Sequence, residues 1–453
     1  MITLEDLLFL EPIEVENRLE TGLLTENYDK LTKKNGEHCA LIIEKYIKST
    51  KSVKDKNLIF IKKLTKVARH IIDNYKTLDN FFPRLYQFNI EGVNILKNKE
   101  IIFDKKKDAT LESHLLSHAA HMAKKEFLKK KDIEWAKKSF YIYENLAILS
   151  RTINKKHSSH QYSFAGSMAE QIFKRTNDIE WAKKWHKKNE TGGKVANGVD
   201  NSHSFYSYGF AGTIAKKIFD FTKEIKWVKK WYYNELKSAE ISKDINKKHS
   251  MHSYSYAGNA ANTLFKLTGE PIWAEKRYEN LELSANISAN VNKKHSIHSY
   301  SYAGETAHNL FKLTDEPIWA EKWYKNCRIS AEMSIDINKT HSIYAYTYAG
   351  EAAHNLFKLT DEPIWAEKWY ETCRISADMS IDSNKTHSIH AYKNAGNAAR
   401  KIAIIEQNKI WYKKSVECYE KFLDYYKTNP NIKMQYIIKN INKKVIKIKC
   451  LLS

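Results

Sequence analysis

Glycine and proline are scarce in this chain, at 14 and 6 of 453 residues. So few breakers, with apolar residues recurring at spacings of three and four, predict an almost wholly helical protein with no need of strands. Arginine is scarcer still for a basic protein: only 9 of the 75 basic residues are Arg, although the formal charge is +22. Phosphate recognition leans on the planar, bidentate guanidinium, so the lysine excess points less to nucleic acid than its size suggests. The charge is also uneven, with residues 295 to 386 at net −4 (nine basic, thirteen acidic) and residues 387 to 453 at net +10 (fourteen basic, four acidic).

Cysteine is limited to Cys39, Cys327, Cys373, Cys418 and Cys450. The number is odd and no CxxC pair occurs, which fits free thiols in a reducing compartment. No apolar run approaches membrane-spanning length, and the opening MITLEDLLFLEPIEVE is too acidic for a signal peptide. A cytoplasmic location is expected. There is no nucleophile motif, phosphate-binding glycine loop or pair of catalytic carboxylates. The expectation is a non-enzymatic protein with neither cofactor nor metal.

What is present is a repeat. Ala-Gly pairs occur at Ala165-Gly166, Ala211-Gly212, Ala257-Gly258, Ala303-Gly304, Ala349-Gly350 and Ala395-Gly396, 46 residues apart, and Ala119-Ala120 stands one step earlier. Sixteen residues beyond each first Ala lies a tryptophan (Trp135, Trp181, Trp227, Trp273, Trp319, Trp365, Trp411), and four further on stand Trp185, Trp231, Trp323 and Trp369, which accounts for all eleven. Seven copies of one period mean a solenoid or an array.

In one copy, the spacing predicts a first helix over about Ser296 to Leu313 that buries Tyr300, Ala303, Gly304, Ala307, Leu310 and Phe311. A second helix follows over about Pro317 to Ile335, with Pro317 in its first turn and Trp319, Ala320, Trp323, Cys327 and Ser330-Ala331 as its packing set. The small residues let helix axes approach and the indoles fill the space beside them. Ser158, Ser204, Ser250, Ser296, Ser342 and Ser388 are expected as N-caps of the first helices. Asn189 to Ser202, NETGGKVANGVDNS, interrupts the pattern and is the hinge candidate.

The pattern of Tyr300, Ala303-Gly304 and Ala307, then Ala320, Tyr324 and Cys327, resembles the tetratricopeptide-repeat superfamily over residues 111 to 430. The resemblance implies an all-α fold, an α-α superhelix (solenoid) of TPR-like helix hairpins, with about seven clear repeats plus helical caps. The period is about twelve residues longer than usual for that family, and a HEAT-like array is the alternative. Residues 1 to 56 are expected to be an N-terminal helical cap, 57 to 110 a diverged helix pair, and 431 to 453 a basic amphipathic helix with a stripe of Met434, Ile437, Ile438, Ile441, Val445 and Ile448.

By the same resemblance, first helices line a groove that grips a peptide or helix. The side opposite the buried face carries His298, Ser301, Tyr302, Glu305, His308 and Asn309; matching positions elsewhere are His160, Phe164, Tyr206, Phe210, His252, Tyr256, Tyr344, Tyr348 and His390. These rings either hold a protein or peptide partner or pack against the next repeat. Lys393 and Asn397, with Arg400 and Lys401 one turn on, are similar to the family's clamp for a peptide's terminal carboxylate. A nucleic-acid-binding array using lysines and groove aromatics is the rival function.

A second column, His157, His203, His249, His295, His341 and His387, falls where one repeat meets the next and is expected to be structural. His114, His118 and His121 form the densest cluster that a metal could use. The terminal Cys450-Leu451-Leu452-Ser453 fits a prenylation pattern, which would add a membrane as partner only if Cys450 is lipidated.

Overall fold

The computed structural model describes residues 82–97, 105–428 and 434–452. The expected cap over 1 to 56 and the first part of the 57 to 110 pair lie outside the described residues. The chain divides into two compact units after Lys223. The first unit holds α1 (Phe82–Lys97), α2 (Lys105–Lys130), α3 (Ile133–Ser150), α4 (Lys155–Thr176), α5 (Ile179–Ala196) and α6 (Asn201–Thr222). The second holds α7 (Ile225–Ser242), α8 (Lys247–Thr268), α9 (Pro271–Ser288), α10 (Lys293–Thr314), α11 (Pro317–Ser334), α12 (Lys339–Thr360), α13 (Pro363–Ser380), α14 (Lys385–Glu406), α15 (Lys409–Thr428) and α16 (Gln435–Leu452). Within each unit every helix packs on the next in chain order. This is the signature of an all-α solenoid, in which each hairpin touches only its neighbours.

The first helices end one residue before a left-handed cap, at Asn177, Lys223, Gly269, Asp315, Asp361 and Gln407. Pro271, Pro317 and Pro363 then open the next helix, where the missing N–H is not needed. Nine of the tryptophans, among them Trp181, Trp273, Trp323 and Trp369, are buried. They stack along the second helices: Tyr278 meets Trp319 edge-on at 5.5 Å and Tyr324 meets Trp365 at 5.6 Å. Lys322 and Lys368 cover those indoles at 4.0 and 3.9 Å.

The Ala-Gly pairs are where helices cross closely. A Cβ on Gly304 would stand 2.7 Å from Cys327 Sγ, and one on Gly396 2.7 Å from the Tyr419 ring. At the far end, Ile441, Val445 and Ile448 of α16 are buried in the same core as Phe422 and Tyr426 of α15, so the apolar stripe closes against the last hairpin.

Two expectations are corrected. The N-caps are Asn154, Asp200, Asn246, Asn292, Asn338 and Asn384, whose side chains accept from the backbone N–H three residues on. The serines sit inside the helices, fully buried, each donating to a carbonyl of the preceding second helix: Ser296 to Ala285 at 2.8 Å, Ser342 to Ala331 at 2.8 Å, Ser388 to Ala377 at 2.7 Å. Their only proton is spent between hairpins.

The second correction concerns NETGGKVANGVDNS. α5 runs unbroken through Gly192 and Gly193 to Ala196. A Cβ on Gly193 would stand 2.9 Å from the Tyr208 ring, and one on Gly192 3.3 Å from the Ser159 carbonyl. These glycines permit close contact with α4 and α6, so they do not interrupt the helix. Only Gly198, at φ +81°, occupies a turn that needs glycine.

Candidate partner-binding face

On the side of the first helices opposite the core, the sequence-predicted rings separate into two columns one helical turn apart. In the first unit His160 and Tyr206 belong to one and Phe164 and Phe210 to the other; in the second unit His252, His298, Tyr344 and His390 form one, and Tyr256, Tyr302 and Tyr348 the other. In the first column, rings lean on the histidine that opens the next hairpin. His160 lies 4.1 Å from His203, His252 5.0 Å from His295, His298 6.0 Å from His341, and Tyr344 5.5 Å from His387. His390, with no such histidine after it, meets Phe422 and Tyr426 instead.

The second column stands out from the helices. Phe164, Phe210, Tyr256, Tyr302 and Tyr348 are between 44% and 59% exposed. Tyr206 and Tyr344 of the first column are exposed to a similar degree, at 46% and 47%, so the two columns differ in their ring contacts and not in exposure. Phe164 alone of the second makes a ring contact of note, with Tyr143 at 5.4 Å.

The junction histidines are held by a repeated polar lattice. Ser330 donates to the Ile297 carbonyl at 3.1 Å and lies 2.8 Å from the Ser301 hydroxyl. His341 Nε2 lies 3.0 Å from Ser330 and 3.0 Å from Ser301, so one ring nitrogen joins both hydroxyls. The same trio recurs as Ser255, Ser284 and His295, and as Thr347, Ser376 and His387. Burial lowers the pKa of His203, His295, His341 and His387, which keeps the lattice neutral. A site repeated at three successive junctions of the second unit, spending its hydrogen bonds on its own neighbours, is structural.

The remaining predicted residues are scattered in role. Glu305 is exposed, whereas His308 stacks on Trp323 at 3.9 Å. Asn397 is not available through its oxygen, which accepts from Tyr419 at 2.7 Å and from Lys444 of α16 at 3.0 Å. Lys393 is half-buried at the position that holds Thr347 and Ser301 in earlier repeats, and burial lowers its pKa. His114 bonds the Thr110 carbonyl at 2.6 Å and His118 is buried. Among the described residues no group of three potential metal ligands comes together. Burial pushes the Cys327, Cys373 and Cys418 thiols up to about 12, far from the reactive thiolate.

Sequence reasoning missed a cavity of about 540 Å³ between α12, α13 and α14. Its buried lining is Phe357, Trp369, Cys373 and Ala391, and its polar lining includes His354, Lys358, Arg400 and Lys401. His354 stacks on Trp369 at 4.0 Å; burial, then Lys358 and Lys401, push its pKa down to about 4. A signal existed in the columns: position 400 is Arg where the two preceding copies have His354 and His308.

No family model and no curated protein matches the chain. Among solved structures it resembles helical-repeat proteins of the tetratricopeptide kind. A circular tandem repeat protein with novel repeat topology is 12% identical, covering 98% of this chain and 97% of that one at a TM-score of 0.20. The P58(IPK) TPR domain is 11% identical over 98% of both chains at 0.22. The APC/C hetero-tetramer Cut9-Hcn1 is 12% identical, over 96% and 98%, at 0.26. Scores this low support no transfer of function.

Proposed function

We propose that the protein is a non-enzymatic protein-interaction scaffold whose first-helix face holds an extended peptide or a helix. The observation that carries this reading is the exposed ring column, above all Tyr256, Tyr302 and Tyr348, which recurs every 46 residues in the second unit. Such rings supply large contact area for little loss of side-chain freedom, and tyrosine adds a hydrogen bond at its tip. The column stands on a rigid base, since the neighbouring turn of each first helix is locked to the next hairpin through the junction histidine. No helix among the described residues is long and apolar enough to cross a membrane.

Peptides selected on the intact chain from a random display library test the reading. The Tyr256→Ala, Tyr302→Ala double variant is expected to weaken them at least tenfold, given about 1 kcal/mol or more for each anchoring ring, while His298→Ala, which loses an edge contact with His341, is expected to weaken them less. Folded ring variants that bind every selected peptide unchanged would remove the basis for the groove. The rival, an array that binds nucleic acid through its lysines, predicts affinity falling steeply with salt and lost on nuclease treatment.

A further inference from the structure

The cavity between α12, α13 and α14 differs from the rest of the first-helix face in its charge. Some basic side chains of the last hairpins are paired: Arg374 with Asp378, Lys421 with Glu417, Lys449 with Glu420. Lys358, Lys393, Arg400 and Lys401 have no carboxylate within ion-pair distance among the described residues. Three of the four line the cavity, and Lys393 lies two turns before Arg400 on the same helix. Lys444 reaches in from α16 to Asn397. Burial and then the charges of Arg400, Lys393 and Lys401 lower the Lys444 pKa, so the cations are close enough to repel one another.

Arg400 supplies the sharpest detail. Its guanidinium lies against the Tyr419 hydroxyl, yet Nε is buried with no hydrogen-bond partner. A buried donor without an acceptor is costly unless something arrives to meet it. Asn397 lines the cavity and is oriented by Tyr419 and Lys444 through its oxygen, which leaves its amino group as a donor.

The acids present do not fill that need. Glu351 lines the cavity, but burial raises its pKa, against a smaller lowering by Lys312 of the previous repeat. Asp361 is exposed in the turn after α12. The site is thus a rim of fixed cations over an apolar floor, with room for more than a bare ion.

We propose that this cavity binds a phosphoryl group carried on a side chain of the peptide that occupies the first-helix face, a step that rests on the scaffold reading above. A dianion with three terminal oxygens matches a guanidinium, an amide donor and two or three ammonium groups better than a single carboxylate would. It also relieves the mutual repulsion of the lysines. Bound phosphate next to His354 favours the imidazolium, so its occupancy is reported by that ring.

Two measurements on the full chain test this. In the first, the His354 pKa is followed by NMR in chloride and in inorganic phosphate at equal ionic strength, with His308 as the internal control. Phosphate is expected to move His354 upward and leave His308 in place, and Arg400→Gln or Lys358→Gln is expected to weaken the effect about tenfold each. Since Arg400 also touches Tyr419, Lys358→Gln, on the exposed rim, keeps the test valid if the first variant unfolds. No shift at saturating phosphate, or equal shifts in both variants, overturns the site.

In the second, a random peptide library phosphorylated at one serine and its unmodified twin are panned on the chain. Enrichment of the phosphorylated set, lost in Lys358→Gln and in Tyr302→Ala, supports the whole proposal. A His354 shift with inorganic phosphate but no phosphopeptide enrichment overturns the peptide as carrier and leaves the fault with the scaffold reading. Peptide capture that ignores phosphorylation, with no His354 shift, overturns the phosphoryl site and leaves the scaffold standing.

Discussion

Glu235 offers the sharpest test of how these hairpins are packed. It is only 2% exposed in α7, and burial lifts its pKa from near 4.5 to about 8, against a smaller lowering from its hydrogen bond with Ser253. Ser253 in turn bonds Ser238, which lies 2.8 Å from His249 Nε2, so the carboxyl ends a buried polar chain. A raised folded-state pKa means stability that is complete below about pH 4.5 and lost as pH climbs toward 8. The gap between 4.5 and about 8, at 1.36 kcal/mol per pH unit, amounts to about 5 kcal/mol at its limit.

Glu235→Gln removes that dependence while keeping the shape of the neutral acid. Relative to wild type, the variant is expected to gain almost nothing near pH 4, about 3 kcal/mol at pH 7 and about 5 kcal/mol at pH 9. The buried histidines act in the opposite sense, their lowered pKa values taking stability away as pH falls, but they are common to both proteins and cancel. A solenoid does not unfold as one unit, so the readout is amide exchange of α7 and α8, compared between the two proteins at each pH. A difference that is flat from pH 4 to pH 9 would refute the burial argument, as would a variant that gains less at pH 9 than at pH 4.

Other consequences follow from the same packing. Gly304→Ala should cost about 1–3 kcal/mol, because its new Cβ would meet Cys327 Sγ at 2.7 Å; Cys327→Ala in the same chain should recover part of the loss, which a double-mutant cycle in urea would measure. Trp323→Ala should cost about 3–5 kcal/mol and free His308 from its stacked position, raising that histidine's pKa in an NMR titration. Asn292→Ala should lose about 1 kcal/mol through the cap it gives His295, whereas Ser296→Ala should act by unlinking α10 from Ala285; fraying confined to the first turn of α10 in one variant and spread into α9 in the other would be seen by amide exchange.

The sequence by itself determined the period, the hairpin and the buried faces. A 46-residue repeat of Ala-Gly and Trp at helical spacing has one way to bury its apolar stripe, and the structure places Tyr300, Ala303, Ala307, Trp319 and Trp323 in the core. Tertiary contact decided what local pattern could not. Ser296 and Asn292 are both good caps on paper, and the cap fell to Asn292 because the serine hydroxyl has a carbonyl waiting in the previous hairpin. Gly192-Gly193 reads as a break until α4 and α6 are brought against it. Tyr302 and His298 lie one turn apart on one face, both exposed, and only the arrival of His341 from the next hairpin gives His298 a ring to meet edge-on. The burial of Glu235 and the meeting of Lys358 with Arg400 and Lys401 likewise depend on elements far apart in the chain, since desolvation and charge crowding are properties of distance in space.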